Sequence, residues 1–382
     1  MVGGGLAGAR AVQELRTQGH TGWVTLVGAE PHLPYDRPPL SKELLLGSRD
    51  DSTLDVDLTD VDVRLGTAAT GLRPGVLETD GGDLDHDGLV LATGADARHL
   101  PGAAGLHVHV LRTVDDARRL RTALRPGANV VVVGAGWIGA EVATASAGAG
   151  CATTVLEAAA APLQAALGDI GALTVPWYAA AGIALRLGVV VAAVEPDGVV
   201  LADGERLPAD VVVVGVGAVP STGWLADSGL AVEGSVLVDE HLAASWPGVV
   251  AAGDCAAWTS RRFGARLHVE HWADALHAPT VAVSTLLGQE AVHDPVPYFW
   301  SEQLGHRVQF VGYHRHADQV VHRGEFGAPE GWSVCWLTGG RLDAVLAVDR
   351  PRDLAQARRL VAAAVAPDVD RLADPSIALR DV

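Results

Sequence analysis

Two stretches of the chain share one pattern of apolar and polar positions. Each has a short apolar run, a glycine cluster, apolar residues at helical spacing, and a second apolar run that ends near a glutamate. The first runs Val2-Gly3-Gly4-Gly5-Leu6-Ala7-Gly8, with helical periodicity through Leu15, then an apolar run over 23–27 and Glu30. The second runs Val130-Val131-Val132-Val133-Gly134-Ala135-Gly136-Trp137-Ile138-Gly139, with a helical pattern through Ala147, an apolar run over 153–156 and Glu157. Runs that are apolar throughout, rather than alternating, predict parallel strands buried on both faces. Both stretches therefore predict a strand–turn–helix–strand opening. Three further runs end at glycine corners: Leu89 into Ala92-Thr93-Gly94, Val211 into Gly215-Val216-Gly217, and Val249 into Ala252-Gly253-Asp254. A strand entering a glycine turn marks close approach of backbone to a ligand. Breaks stand at Pro101-Gly102 and, after a predicted helix over 274–287, at Asp294-Pro295-Val296-Pro297. Beyond Pro297 the pattern predicts strands at 308–311, 320–321, 333–337 and 344–348 and a helix over 354–364, an α+β unit. No repeat is evident beyond the two openings.

Both glycine clusters fit G-x-G-x-x-G at the start of a βαβ unit with an acid further on, the dinucleotide fingerprint. One such match is weak evidence; two in matching context are strong. The glycines admit the pyrophosphate to the backbone, and the helix N-terminus supplies positive potential. Glu30 and Glu157 can each accept from a ribose diol and would repel a 2′-phosphate. Residues 158–161 are all alanine, with no arginine to hold a phosphate, so the second site is expected to take NADH over NADPH. Only Met1 and Val2 precede the first cluster. A full strand needs about five residues, so that strand is expected to be cut short and dinucleotide retention weakened.

A length of 382 residues implies two or three domains. A net charge of −18 repels nucleic acid and anionic membranes. The three cysteines, Cys151, Cys255 and Cys335, form no C-x-x-C and no disulfide framework, as in a reducing compartment. No basic region followed by an apolar stretch opens the chain, so a cytoplasmic location is expected. The apolar stretch 129–156 contains several glycines and Glu141, which favour a buried strand–turn–helix over a membrane span. Of the 28 basic residues, Lys42 is the only lysine, which leaves 27 arginines. A lysine kept alone in such a composition points to a place where a compact charge serves and a planar fork does not. His306, His314, His316 and His322 lie close together, but their spacing matches no compact zinc pattern, and no metal is expected. Arg261, Arg262 and Arg266 read equally as a solvated loop or as a docking rim for an acidic protein, which Arg307, Arg315 and Arg323 could extend.

The segment Pro34-Tyr35-Asp36-Arg37-Pro38-Pro39-Leu40-Ser41-Lys42 resembles the FAD-side motif of oxygenase-coupled NADH–ferredoxin reductases. These are the putidaredoxin reductase-like branch of the pyridine nucleotide-disulfide oxidoreductase superfamily. The resemblance spans essentially the whole chain and includes Ala92-Thr93-Gly94, 134–141, Ala252-Gly253-Asp254, Glu270-His271-Trp272 and Phe299-Trp300-Ser301-Glu302-Gln303. It implies an α/β chain with two Rossmann-like domains of the glutathione-reductase type and a C-terminal α+β domain. The expected division is a discontinuous FAD domain at 1–104 and 227–295, an NADH domain at 105–226, and a C-terminal domain at 296–382.

By resemblance, FAD is held by Gly3, Gly5, Gly8, Glu30, Arg37, Lys42, Ala69, Arg112, Asp254 and Trp272. NADH is held by Gly134, Gly136, Ile138, Gly139, Glu141, Glu157 and the turn ending in Gly217. Lys42 sits beside the flavin atom that receives hydride, paired with Glu141; Trp300 is an aromatic near flavin and nicotinamide. The implied partner is a small iron–sulfur ferredoxin serving a haem monooxygenase or a Rieske dioxygenase, met transiently by a monomer or weak dimer. The rival readings are a diaphorase or quinone reductase, and a flavoprotein interaction module switched by NADH. A disulfide reductase of this fold would carry cysteine in 37–46, where this chain has none.

Overall fold

The computed structural model describes residues 1–103, 105 and 107–382. Residue 104, where the first domain was expected to end, lies outside the described residues. Two compact units result. One comprises Met1–Asp36, Thr53–Asp96 and Val219–Phe299; the other comprises Arg37–Ser52, Ala97–Ala218 and Trp300–Val382.

The first unit is built on a parallel sheet. Asp62–Leu65 pairs with Thr25–Gly28, and Leu89–Leu91 pairs with Val249–Ala251. Residues 1–3 fill the middle, with Val2 bridging Val27 on one side and Leu91 on the other. Val2 N–H donates to Val90 O at 3.0 Å and Gly3 N–H to Val27 O at 2.8 Å. In return, Val27 N–H donates to Met1 O at 2.9 Å and Ala92 N–H to Val2 O at 2.8 Å. The strand expected to be cut short is short, yet bonded on both sides. Leu26, Val27, Leu89, Val90, Leu91, Val249, Val250 and Ala251 are all buried, as the unbroken apolar runs require. Trp23, expected to open its strand, is instead 83% exposed, and the strand begins at Thr25. The helix Leu6–Thr17 turns small residues inward (Ala7, Gly8, Ala9, Ala11), which lets it pack closely against the helix Trp272–Leu286.

The second unit repeats the plan. Its parallel sheet runs Ala184–Leu187, Ala152–Glu157, Asn129–Val133, Val211–Val214, Val108–His109, with the glycine motif again leaving the middle strand. Each unit also carries a three-stranded antiparallel insert: Ala69–Arg73, Val76–Thr79 and Leu84–Asp85 in the first, Val191–Glu195, Gly198–Leu201 and Arg206–Pro208 in the second. The internal repeat is therefore wider than the two openings visible in the sequence. The inserts escaped notice because their strands are short, two to five residues each.

The C-terminal region is a five-stranded antiparallel sheet in the order Tyr298–Gln303, His306–Gly312, Arg341–Val348, Trp332–Thr338, Gln319–Arg323, packed against the helix Pro351–Ala362. The first of these strands was not expected from the sequence, because its inward positions include polar Ser301 and Gln303, which break the apolar signal. Arg323, proposed as part of a docking rim, is 1% exposed. Its Nε donates to Asp353 Oδ2 at 3.0 Å, and its Nη1 donates to Leu372 O at 3.1 Å. It ties the last turns of the chain to the sheet and presents nothing to a partner.

Removing one member of a buried ion pair costs about 3–5 kcal/mol because the other is left uncompensated. Arg350 Nε also reaches Asp353 Oδ2, at 2.7 Å, and softens that loss. Arg323→Ala is expected to lower stability by about 3 kcal/mol in urea unfolding, whereas Arg315→Ala on the surface stays within about 0.5 kcal/mol.

Candidate functional site

The glycines of the two motifs divide by what surrounds them. The first of each turns the chain: Gly3 has φ +116° and Gly134 φ +103°. A Cβ there would lie 2.0 Å from Ala92 O or 2.4 Å from Gly215 O. The third brings helix onto strand. A Cβ on Gly8 would meet Gly3 O at 1.9 Å, and one on Gly139 would meet Gly134 O at 2.0 Å. The second is different. Gly5 has nothing within 4 Å of its would-be Cβ, and Gly136 has only Gly215 O at 4.0 Å. These two positions are N-caps without a side-chain capping bond, and neither helix has an acid in its first turn. The N–H groups of a helix's first turn, the positive end of a 12-residue helix and open space over the second glycine are what a pyrophosphate needs. Ile138, in the second motif, is 43% exposed. The residues present therefore fit two dinucleotides, one per unit.

The acids stand where the fingerprint puts them. Glu157 is the last residue of its strand, and its carboxylate braces the glycine turn, accepting from Ala135 N–H at 2.7 Å and Ala159 N–H at 2.8 Å. A carboxylate has roughly four acceptor positions, so capacity remains for a ribose diol. Glu30 accepts from the Tyr35 hydroxyl at 2.6 Å. The neighbouring Asp36 accepts from Trp272 Nε1 at 2.6 Å. Trp272 opens its helix, and His271 before it is held well below its ordinary value, to about 4, chiefly by burial. The Nδ1 of that neutral ring is buried and unpartnered, a polar atom left for a ligand. Asp254 follows the turn at Gly253 and lends its carbonyl to His268 Nε2 at 2.8 Å. Ala69 starts the first strand of its insert. Arg37 Nη1 donates to Arg112 O at 2.6 Å. Gly217 has φ +102° with nothing within 4 Å of a Cβ, so its turn is also open.

The lone lysine lies within the second unit. Lys42 joins the 3₁₀ turn Pro38–Ser41 to the short helix Glu43–Leu46. Its Nζ donates to Glu141 Oε2 at 2.7 Å. Glu141, in the second turn of the helix Trp137–Gly148, has a side chain only 5% exposed. Two serines complete its shell: Ser41 Oγ donates to Oε2, and Ser301 Oγ donates to Oε1 at 2.6 Å. A buried carboxylate with one ammonium and two hydroxyl donors meets the requirement that buried charge be both paired and hydrogen-bonded. Sequence reasoning found the pair and missed both serines, although each lies inside a quoted motif. Trp300 is half-buried, and strand alternation turns it away from the face that Ser301 offers to Glu141.

The cysteines are free and buried, and burial raises each thiol, Cys335 to about 12, which leaves no ready thiolate. The four histidines serve separate neighbours: His306 stacks on Trp177 at 4.2 Å, His314 lies 4.9 Å from Trp336, His316 5.5 Å from Tyr313, and His322 5.1 Å from Phe326. Arg261 pairs with Glu240, and Arg266 donates to two backbone carbonyls. No helix among the described residues is long and apolar enough to cross a membrane.

Two parallel sheets with fingerprint glycine turns, together with an antiparallel C-terminal sheet, define a two-dinucleotide oxidoreductase fold. The model of the pyridine nucleotide-disulphide oxidoreductases matches residues 1–278, and that of the reductase C-terminal domain matches 298–382. The chain belongs to the pyridine nucleotide-disulphide oxidoreductase family. It is 37% identical to the chlorobenzene dioxygenase ferredoxin reductase component of Cupriavidus sp. (strain PS12), over all of this chain and 96% of that one. Among solved structures it resembles Fdr9, with a TM-score of 0.94 and 48% identity over 99% of this chain and 98% of that one. It also resembles the reductase of the covalent putidaredoxin reductase–putidaredoxin complex, with a TM-score of 0.95 and 31% identity over 99% and 96%.

The glycine geometry separates folding from binding. Gly136→Ala is expected to melt within a few degrees of wild type but to lose about tenfold or more in NADH affinity, because its Cβ enters the pyrophosphate space. Gly139→Ala drives a Cβ into Gly134 O and is expected to lower the melting temperature itself. Calorimetry with isothermal NADH titration distinguishes the two.

Proposed function

We propose that the chain is an FAD-dependent NADH:ferredoxin reductase that serves an oxygenase. The observation that carries this is the Lys42–Glu141 pair in a chain with two dinucleotide-binding turns and full-length likeness to reductases named for that task. FAD and NAD(H) are the cofactors of the family. Bound FAD supplies the hydride acceptor and the single-electron steps that a one-electron iron–sulfur partner needs.

In this reading Gly3, Gly5 and Gly8 receive the FAD pyrophosphate and Glu30 its ribose, and Arg37, Lys42, Ala69, Arg112, Asp254 and Trp272 also serve FAD. Gly134, Gly136, Ile138, Gly139 and Gly217 receive NADH, and Glu157 takes the adenine ribose. Lys42 presents positive charge where negative charge develops on the ring, an electrostatic role in which no side chain carries a proton. Glu141 fixes the ammonium in place. Trp300 would act through a face other than the one that meets Glu141. The domain division at 1–104 with 227–295, 105–226 and 296–382 belongs to the same proposal. So does a cytoplasmic location, where three thiols stay free.

Steady-state NADH oxidation by the FAD-loaded protein tests the reading. With a [2Fe–2S] ferredoxin, kcat/KM is expected to exceed that with a small quinone, and NADH to be preferred over NADPH by about tenfold or more, near 1.4 kcal/mol. Glu157→Ala should narrow the nucleotide preference. Equal or better turnover with quinone at every ferredoxin concentration would favour a diaphorase instead.

A further inference from the structure

The strand Tyr298–Gln303 and the turn that follows it are registered on the helix Trp137–Gly148 at one point each. Ser301 Oγ donates to Glu141 Oε1 at 2.6 Å, and Leu304 N–H donates to Thr144 Oγ1 at 2.8 Å. Thr144 in turn donates to Ala140 O at 2.7 Å, which fixes its hydroxyl. Glu141 and Thr144 are three residues apart and so share a helix face. Leu304 has φ +54°, a left-handed conformation that a leucine keeps only where its surroundings impose it. The strand is thus held so that Ser301, 1% exposed, reaches the carboxylate.

The consequence lies in how the two carboxylate oxygens are shared. Oε2 carries Lys42 and Ser41; Oε1 carries Ser301. Without the Ser301 hydroxyl, Oε1 is an unmatched buried acceptor, and the lysine, which already donates to Oε2 of the same carboxylate and has three mobile donors, is able to satisfy it. The ammonium, now shared among Glu141 Oε2, Ser41 Oγ and Pro38 O, would then turn further onto the carboxylate and direct less of its charge elsewhere.

We propose that Ser301 is a positioning residue for hydride transfer: its hydroxyl holds Glu141 so that Lys42 keeps its charge available to the flavin. The inference rests on the proposed function. It extends the lysine–glutamate pair to a residue of the C-terminal sheet, next in sequence to Trp300.

The test uses the full-length, FAD-loaded protein as Ser301→Ala and Ser301→Thr, each also in a Glu141→Gln background. Three quantities are read: the flavin midpoint potential by dye equilibration, the anaerobic rate of reduction by NADH, and the NADH dissociation constant. Ser301→Ala is expected to shift the potential to a more negative value and slow reduction about tenfold, the scale of one lost hydrogen bond to a charged group. NADH affinity should stay within about twofold, since the change is in the reacting state and not in binding. Ser301→Thr should restore both quantities. In the Glu141→Gln background the alanine change should add nothing, because the path through the carboxylate is already gone. A wild-type potential and rate in Ser301→Ala would overturn the proposal. So would an equal loss in the Glu141→Gln background, which would make the hydroxyl a packing feature. If the alanine protein folds poorly, the isosteric pair Ser301→Thr and Ser301→Val makes the same comparison at constant shape. A wild-type flavin that NADH cannot reduce would defeat the functional reading instead, and the midpoint potentials would still report on Ser301.

Discussion

A carboxylate buried on a helix must be matched, and the match for Glu141 draws distant parts of the chain together. Its donors come from two segments distant from it and from each other in sequence: the serine and lysine after the proline pair, and the first strand of the C-terminal sheet. Each would be a local element if read alone. The cost of leaving such a charge unpaired, several kcal/mol, makes their convergence a condition of folding. A lysine suits this position better than an arginine. Its charge sits on one rotatable point, so it can bond Glu141 and still present charge to a neighbour.

The fold repeats itself in its two halves. In both halves the middle strand of a parallel sheet ends in a glycine turn, the third glycine seats a helix on the strand, and the second leaves the space that the fingerprint assigns to a pyrophosphate. The steric facts come in the same order in both, down to would-be Cβ contacts of 1.9 and 2.0 Å at the third glycine. That agreement ties the two motifs to ligand approach as well as to turn formation.

Much of this was legible in the sequence. Val130 to Val133 and Val211 to Val214 announce two-sided burial, and the glycine spacing announces the turns. What stayed hidden was hidden for physical reasons. Ser301 and Gln303 are polar residues facing inward, and an apolar pattern cannot register a strand whose buried side is hydrogen-bonded. Arg323 looked like surface charge, since nothing local marks Asp353 or the carbonyls of 372, 374 and 377 as its partners. Ser41 and Ser301 were printed inside recognisable motifs. Their role appears only when the carboxylate they share is seen in space.

The account turns on the charge of Lys42, and the most direct measurement removes it without stranding its partner. In the Lys42→Met/Glu141→Gln protein, loaded with FAD and mixed anaerobically with NADH, flavin bleaching is predicted to slow by about 100-fold, the scale of losing one preorganised donor at a reacting centre. Melting temperature and NADH affinity should stay close to wild type. Bleaching at the wild-type rate in a protein that retains its FAD would contradict the account.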